Sequence, residues 1–204
     1  MDAKFIVQRL ERLSDAQNAE HAQRFFKTGP GQYGEGDVFL GIRVPVLRKI
    51  AGEVFKQLDL SQIEYLLRSP YHEVRHLALL VLNKQFVKAD EQTRQRIVTC
   101  YLEQSQFINN WDLVDCSAHL ILGPWLENRD QTILFDLARS ESLWERRIAI
   151  MTTFHFIRCH RFSPTFEIAR ILLADPHDLI HKAVGWMLRE VGKRDFSAQY
   201  QFLK

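Results

Sequence analysis

The segment Asn110-Trp111-Asp112-Leu113-Val114-Asp115 carries the residues of this chain best suited to chemistry. Its pattern predicts the first turn and a half of a helix, with Trp111 and Asp115 one turn apart on the same face. Ala118 and Leu122 continue that stripe, which puts Asp115 at the edge of the buried side. A carboxylate held half-dry beside an indole face can stabilise a developing positive charge. The chemistry to expect is that of a cation. The same pair also fits a core tryptophan beside a carboxylate that accepts hydrogen bonds between repeats.

Two later helices repeat the combination of aromatic and charged residues. Over 143–160, Trp144, Arg147, Met151, Phe154 and Arg158 share one stripe. An arginine among apolar neighbours needs an anion, either an internal carboxylate or a backbone phosphate. Lys182 and Trp186 stand at i and i+4, as Trp111 and Asp115 do. His72-Glu73-Val74-Arg75-His76 matches the H-E-x-x-H zinc pattern, in which two histidines bind metal and the glutamate is the base. A third ligand at the usual spacing is missing, and Val74, Ala78, Leu79 and Leu82 form a core stripe. A structural helix is the expectation there, and the remaining histidines suggest no ligand cluster. Cys100, Cys116 and Cys159 sit in apolar helical patterns and read as reduced core residues.

Helices must position these groups, because nearly every segment has a period near 3.6 and none alternates as a strand. The spacing predicts helices over 3–13, 15–28, 45–58, 61–69, 71–88, 90–104, 111–126, 130–140, 143–160, 164–174 and 178–194. Ser14 and Ser61 are expected as N-caps, with Pro45, Pro70 and Pro164 in first turns. The glycine-rich stretch 28–37 has no Walker lysine and no preceding strand, so a phosphate cradle is a weak reading. Four helices resemble one another around Ala78, Ala118, Ala149 and Ala183, spaced 40, 31 and 34 residues apart. A shorter amphipathic helix precedes each. This predicts an all-α fold, an α-α superhelix (solenoid) of HEAT-like two-helix repeats, forming a single domain over 1–204. The stacked second helices would form a concave wall on which Trp111, Asp115, Arg147, Lys182 and Trp186 could converge.

Bulk properties agree with a globular protein: 46% hydrophobic and 25% charged residues, with a net charge of +2. Residues 142–204 hold 10 Lys and Arg against 6 Asp and Glu, a net +4; the remainder holds 17 against 19, a net −2. That basic excess is compatible with a phosphate-binding face or with a solvated charge mixture. No run approaches a membrane span and Met1 opens onto a charged amphipathic stretch, so a cytoplasmic protein is expected.

The chain resembles the AlkD-like family of DNA alkylation repair glycosylases. Leu40-Gly41-Ile42-Arg43-Val44-Pro45-Val46-Leu47-Arg48 is similar to the family's Gly-x-x-x-Pro-x-x-Arg segment, and Trp111-Asp112-Leu113-Val114-Asp115 to its W-D-x-V-D segment. Leu143-Trp144-Glu145-Arg146-Arg147-Ile148-Ala149-Ile150 resembles its arginine-bearing helix. Lys182-Ala183-Val184-Gly185-Trp186-Met187-Leu188-Arg189-Glu190 resembles its K-A-x-G-W-x-L-R-E helix. Four such segments in order are specific.

The resemblance implies a concave DNA-binding face and a monofunctional glycosylase that removes N3- and N7-alkylated purines from duplex DNA without metal or organic cofactor. It implies that Trp111, Asp115 and Trp186 surround the lesion deoxyribose and that Arg147 contacts nearby backbone. Lys182, Arg43 and Arg48 are expected to bind DNA phosphates, and the protein to act as a monomer. The alternatives are a non-catalytic module for distorted or branched DNA and a protein-interaction scaffold.

Overall fold

The computed structural model describes residues 2–204, and the described residues are helical with no strand beyond one isolated bridge between Val38 and Tyr71. The chain divides into two compact units, the first ending at Leu113 and the second spanning Val114–Lys204.

The first unit contains α1 (Ala3–Glu11), α2 (Ala16–Phe25), α3 (Val44–Val54), α4 (Leu60–Leu67), α5 (His72–Lys88), α6 (Glu91–Glu103) and a 3-10 turn (Ser105–Phe107). Helix α5 is its centre, packed by α3, α4 and α6. Val74, Leu77, Ala78, Leu79, Val81 and Leu82 are wholly buried along it. A helix enclosed on so many sides leaves little room for a solvated face, and His72, Glu73, Arg75 and His76 are buried too. Buried charged groups require partners, so the first turn of α5 must meet opposite charges or hydrogen-bonding groups from other segments.

The division of the chain falls inside α7 (Trp111–Asp115). The second unit continues with α8 (Ala118–Leu126), α9 (Thr132–Ala138), α10 (Leu143–Arg158), α11 (Ser163–Leu172), α12 (Asp178–Gly192) and α13 (Phe196–Leu203). Helix α10 is central here, packed by α8, α9, α11 and α12, with α13 on α12. Its buried Thr152 and Thr153 hydroxyls donate back to the Ile148 and Ile150 carbonyls at 2.7 Å, which satisfies them without a foreign partner.

The four predicted repeat alanines, Ala78, Ala118, Ala149 and Ala183, are all wholly buried. Small side chains permit close helix approach, as Gly123 does: a Cβ there would overlap Cβ and Cγ of His155 on α10. Since Cβ atoms cannot swing away, Gly123→Ala should separate α8 from α10 at a cost of ~1–3 kcal/mol. Urea unfolding would measure this, and a wild-type midpoint would contradict it.

The expected boundaries needed several corrections. Asp15 and Asp59 cap α2 and α4, not Ser14 and Ser61. Their carboxylates accept from Asn18 N and Gln62 N at 2.9 Å, and the Ser61 hydroxyl donates to Asp59. Pro45 and Pro164 do lie in first turns, whereas Pro70 precedes α5, whose N-cap is Tyr71. The helix expected over 111–126 is two helices. It breaks at Cys116–Ser117, where Ser117 turns both its amide and its Oγ onto the Val114 carbonyl, at 3.1 and 3.4 Å. Helix α13 (Phe196–Leu203) lies beyond the last predicted helix, 178–194.

Candidate functional site

In the second unit, α7 delivers Asp115 and α10 delivers Arg147 to the same point. Arg147 donates from Nε to Asp115 Oδ1 at 2.9 Å and from Nη2 to Oδ2 at 2.8 Å. Its third nitrogen, Nη1, donates to the Leu179 carbonyl at the start of α12. The side chains are 6% and 16% exposed respectively. This fork-on-carboxylate geometry fixes the carboxylate plane as well as its charge. The anion required by the apolar surroundings of Arg147 is thus the internal carboxylate, and any contact with a DNA phosphate would have to share a guanidinium already committed at Nε, Nη1 and Nη2.

Trp186, on α12, is half-buried against Phe154 of α10 at a ring separation of 6.2 Å. Its neighbour Glu190, one turn on, accepts from Lys193 Nζ at 2.6 Å and Arg194 Nη1 at 3.1 Å. Hydrogen bonds from Lys193 and Arg194 hold the Glu190 carboxyl below its ordinary value, with burial opposing them. The Phe154 ring thus flanks the indole. Lys182 is exposed and pairs with Asp178 at 2.7 Å, a surface contact that a phosphate could replace at little cost.

In the first unit, Trp111 is half-buried at the start of α7 and belongs to an aromatic stack. It lies 5.3 Å from Phe26, nearly parallel, and 5.9 Å from the exposed Phe25, edge on. Phe26 continues onto Phe39 at 5.1 Å, and Phe39 onto His72 at 4.5 Å. The Phe25-Phe26 pair went unnoticed in the sequence because it straddles a helix end, where periodicity stops being informative. Arg43 is the exposed N-cap of α3, and Arg48 is exposed on the same helix.

The loop 28–37 finds its role here. Asp37, at its end, accepts from Arg75 Nη2 at 2.6 Å, Asn109 Nδ2 at 3.1 Å and Asn110 Nδ2 at 3.3 Å, and faces His72 Nδ1 at 3.3 Å. On the other side of His72, Nε2 is 2.9 Å from Asp112. Burial opposes the charge on His72, but the Asp112 carboxylate and the Asp37 hydrogen bond outweigh it and raise its pKa to about 9. Burial likewise pushes both aspartates up, and the His72 contacts reverse that: Asp37 falls below its ordinary value and Asp112 well below it. These bonds tie the segment preceding Trp111 to α5.

Glu73 is not placed to act as a zinc-site base. Its two carboxylate oxygens accept from the backbone amides of Leu40, Gly41 and Ile42 at 2.8, 2.7 and 3.2 Å. That turn needs Gly41, which has φ +79° and whose Cβ would strike the Asp15 carbonyl. Glu73→Ala strands buried amides at ~1–3 kcal/mol each, and a total loss of about 3–5 kcal/mol is expected after relaxation. Glu73→Gln, retaining one acceptor, should lose less; equal losses in denaturant unfolding would contradict this account.

Two expectations about ligand groups change. Asp112 joins His72 and His76 as a third possible ligand, and Glu127, His155 and Cys159 form a second group. Neither was visible because the partners are distant in sequence. Cys100 is buried, its thiol pushed up to about 12 by burial and then by Glu64 and Glu103, while Cys116 is half-buried. Cys159 is exposed rather than a core residue, since it caps the C-terminus of α10.

The sequence matches the family described as "DNA alkylation repair enzyme" over residues 6–204. No curated protein matches the chain. Among solved structures, a "Predicted DNA alkylation repair enzyme from Enterococcus faecalis" superposes with a TM-score of 0.72 at 18% identity. That alignment covers 93% of this chain and 88% of the other. At such identity the likeness speaks for the fold, an all-helical solenoid class.

Proposed function

The chain belongs to the DNA alkylation repair enzyme family, whose partner is DNA, and on that premise we propose that it is a monofunctional DNA glycosylase. It hydrolyses the N-glycosidic bond of cationic N3- or N7-alkylated purines in duplex DNA. Such a base is already positively charged, so its glycosidic bond is weak and its departure needs no general acid. As the bond breaks, positive charge moves onto the deoxyribose, giving an oxocarbenium-like transition state.

The observation that carries this reading is the Asp115 carboxylate clasped by Arg147. Asp115 stabilises the sugar cation and orients the attacking water. Arg147 holds that carboxylate in one orientation, and the part of its side chain left exposed can meet the DNA backbone. An indole face attracts such a cation, at ~0.5–2 kcal/mol, and the family resemblance gives that role to Trp111 and Trp186. Lys182, Arg43 and Arg48 supply phosphate contacts, and affinity accordingly falls with salt. The reading requires neither a metal nor a Schiff-base lysine.

Charge selectivity tests it. Base release is compared between duplexes carrying N7-methylguanine and the uncharged base hypoxanthine. Release of the first alone is expected. Equal release of both would overturn the requirement for a cationic leaving group. No release from either, with salt-sensitive duplex binding retained, would leave a non-catalytic module for distorted DNA.

A further inference from the structure

His72 and His76 stand one turn apart on α5, and the chain brings Asp112 against both, Oδ2 lying 2.9 Å from His72 Nε2 and 3.5 Å from His76 Nδ1. We propose that these three side chains form a binding site for a first-row divalent metal ion of the zinc class. The assignment is independent of the glycosylase reading, and no step of base release passes through it.

Four features support it. Ligands at ~2.0–2.1 Å from a tetrahedral ion lie about 3.4 Å from one another; the two spacings to Asp112 bracket that value, and all three donor atoms lie within 4.8 Å of one another. Two imidazoles and a carboxylate also suit zinc or iron(II) far better than calcium or magnesium. The outer shell is built as well. His72 turns its other nitrogen, Nδ1, to Asp37 at 3.3 Å, the carboxylate–imidazole pairing that orients a metal-binding histidine. Asp37 is itself fixed by Arg75, and Asp112 Oδ1 accepts from Leu113 N at 2.9 Å, which turns Oδ2 toward the histidines. Finally, the three residues line a cavity of about 680 Å³ shared with His21, Arg24 and Arg43, which gives an ion a route in and leaves a coordination position for water or an anion.

The site would bind without acting as a zinc hydrolase, because Glu73, the base of an H-E-x-x-H centre, is consumed by the Leu40–Ile42 amides. Binding would pin the first turn of α7, and with it Trp111, to α5.

The test uses the full chain stripped of metal by a chelator and titrated with Zn²⁺ alone by calorimetry, then with Co²⁺ by absorption. One equivalent per chain is expected, with a melting temperature that rises with Zn²⁺ concentration. The Co²⁺ spectrum should show ligand-field bands without thiolate charge transfer. His76→Ala should abolish uptake while leaving the His72–Asp112 pair to hold the fold, with His76→Gln as a second variant should the first melt early. Asp37→Asn should weaken binding about 10–100-fold. Absence of uptake by the wild type would overturn the proposal. So would uptake that survives both His76→Gln and Asp112→Asn, or a thiolate–cobalt band lost in Cys159→Ser, which would place the ion at Glu127, His155 and Cys159.

Discussion

Asp115→Asn is expected to slow release of N7-methylguanine by two to three decades, equivalent to ~3–4 kcal/mol of transition-state stabilisation. Asparagine keeps the shape of the side chain and one acceptor oxygen for Arg147, so the change removes charge more than volume. In the resting protein the Arg147 guanidinium offsets part of that charge, yet a cation approaching the 16% of Asp115 left exposed meets the carboxylate in a medium far less screening than water. The effect belongs in the chemical step, so it should appear under single-turnover conditions with duplex affinity nearly unchanged. A variant that bound DNA weakly but released base at the wild-type rate once bound would move Asp115 from chemistry to binding. Rates are to be compared below the melting temperatures of both proteins, since the substitution also weakens a buried ion pair.

Arg147→Met is expected to cost about 3–5 kcal/mol of stability. Removing one partner of a buried pair leaves the other charge desolvated and uncompensated. Here it also frees the Leu179 carbonyl, to which Nη1 donates. Arg147→Lys should recover part of the loss, because an ammonium can meet the carboxylate but cannot present the two-nitrogen fork. The double variant Arg147→Met/Asp115→Asn should be more stable than Arg147→Met alone, since it no longer buries an unpaired carboxylate. Losses that simply add in a double-mutant cycle by denaturant unfolding would argue that the pair contributes nothing as a pair.

The pairing of Asp115 with Arg147 is partly legible in the sequence. Their separation of 32 residues is close to the 31 between Ala118 and Ala149, so the repeat register alone sets them side by side. What the register could not decide was whether Arg147 faces a carboxylate or a phosphate. The helices themselves were legible because apolar residues recur at helical spacing, and the four buried alanines follow from the same pattern. Helix α13 escaped because Phe196, Tyr200 and Leu203 are exposed, so it has no deep apolar stripe to announce it. The break at Ser117 was hidden for the opposite reason: the stripe through Val114, Ala118 and Leu122 continues across it while Ser117 turns back onto the Val114 carbonyl. The network around Asp37 was out of reach, since its contacts span 35 to 73 residues and a glycine-rich loop gives no periodic hint of which side chain turns inward. Glu73 illustrates the risk of a motif taken alone. Its letters read as a zinc-site base, and its bonds make it the anchor of a turn.

The most direct test of the central claim is the time course of N7-methylguanine release from duplex DNA, set against spontaneous loss from the same duplex. The account predicts release by the wild-type chain well above the spontaneous rate and a fall toward that rate in Asp115→Asn. Release no faster than spontaneous, by a folded chain that still binds the duplex, would contradict it.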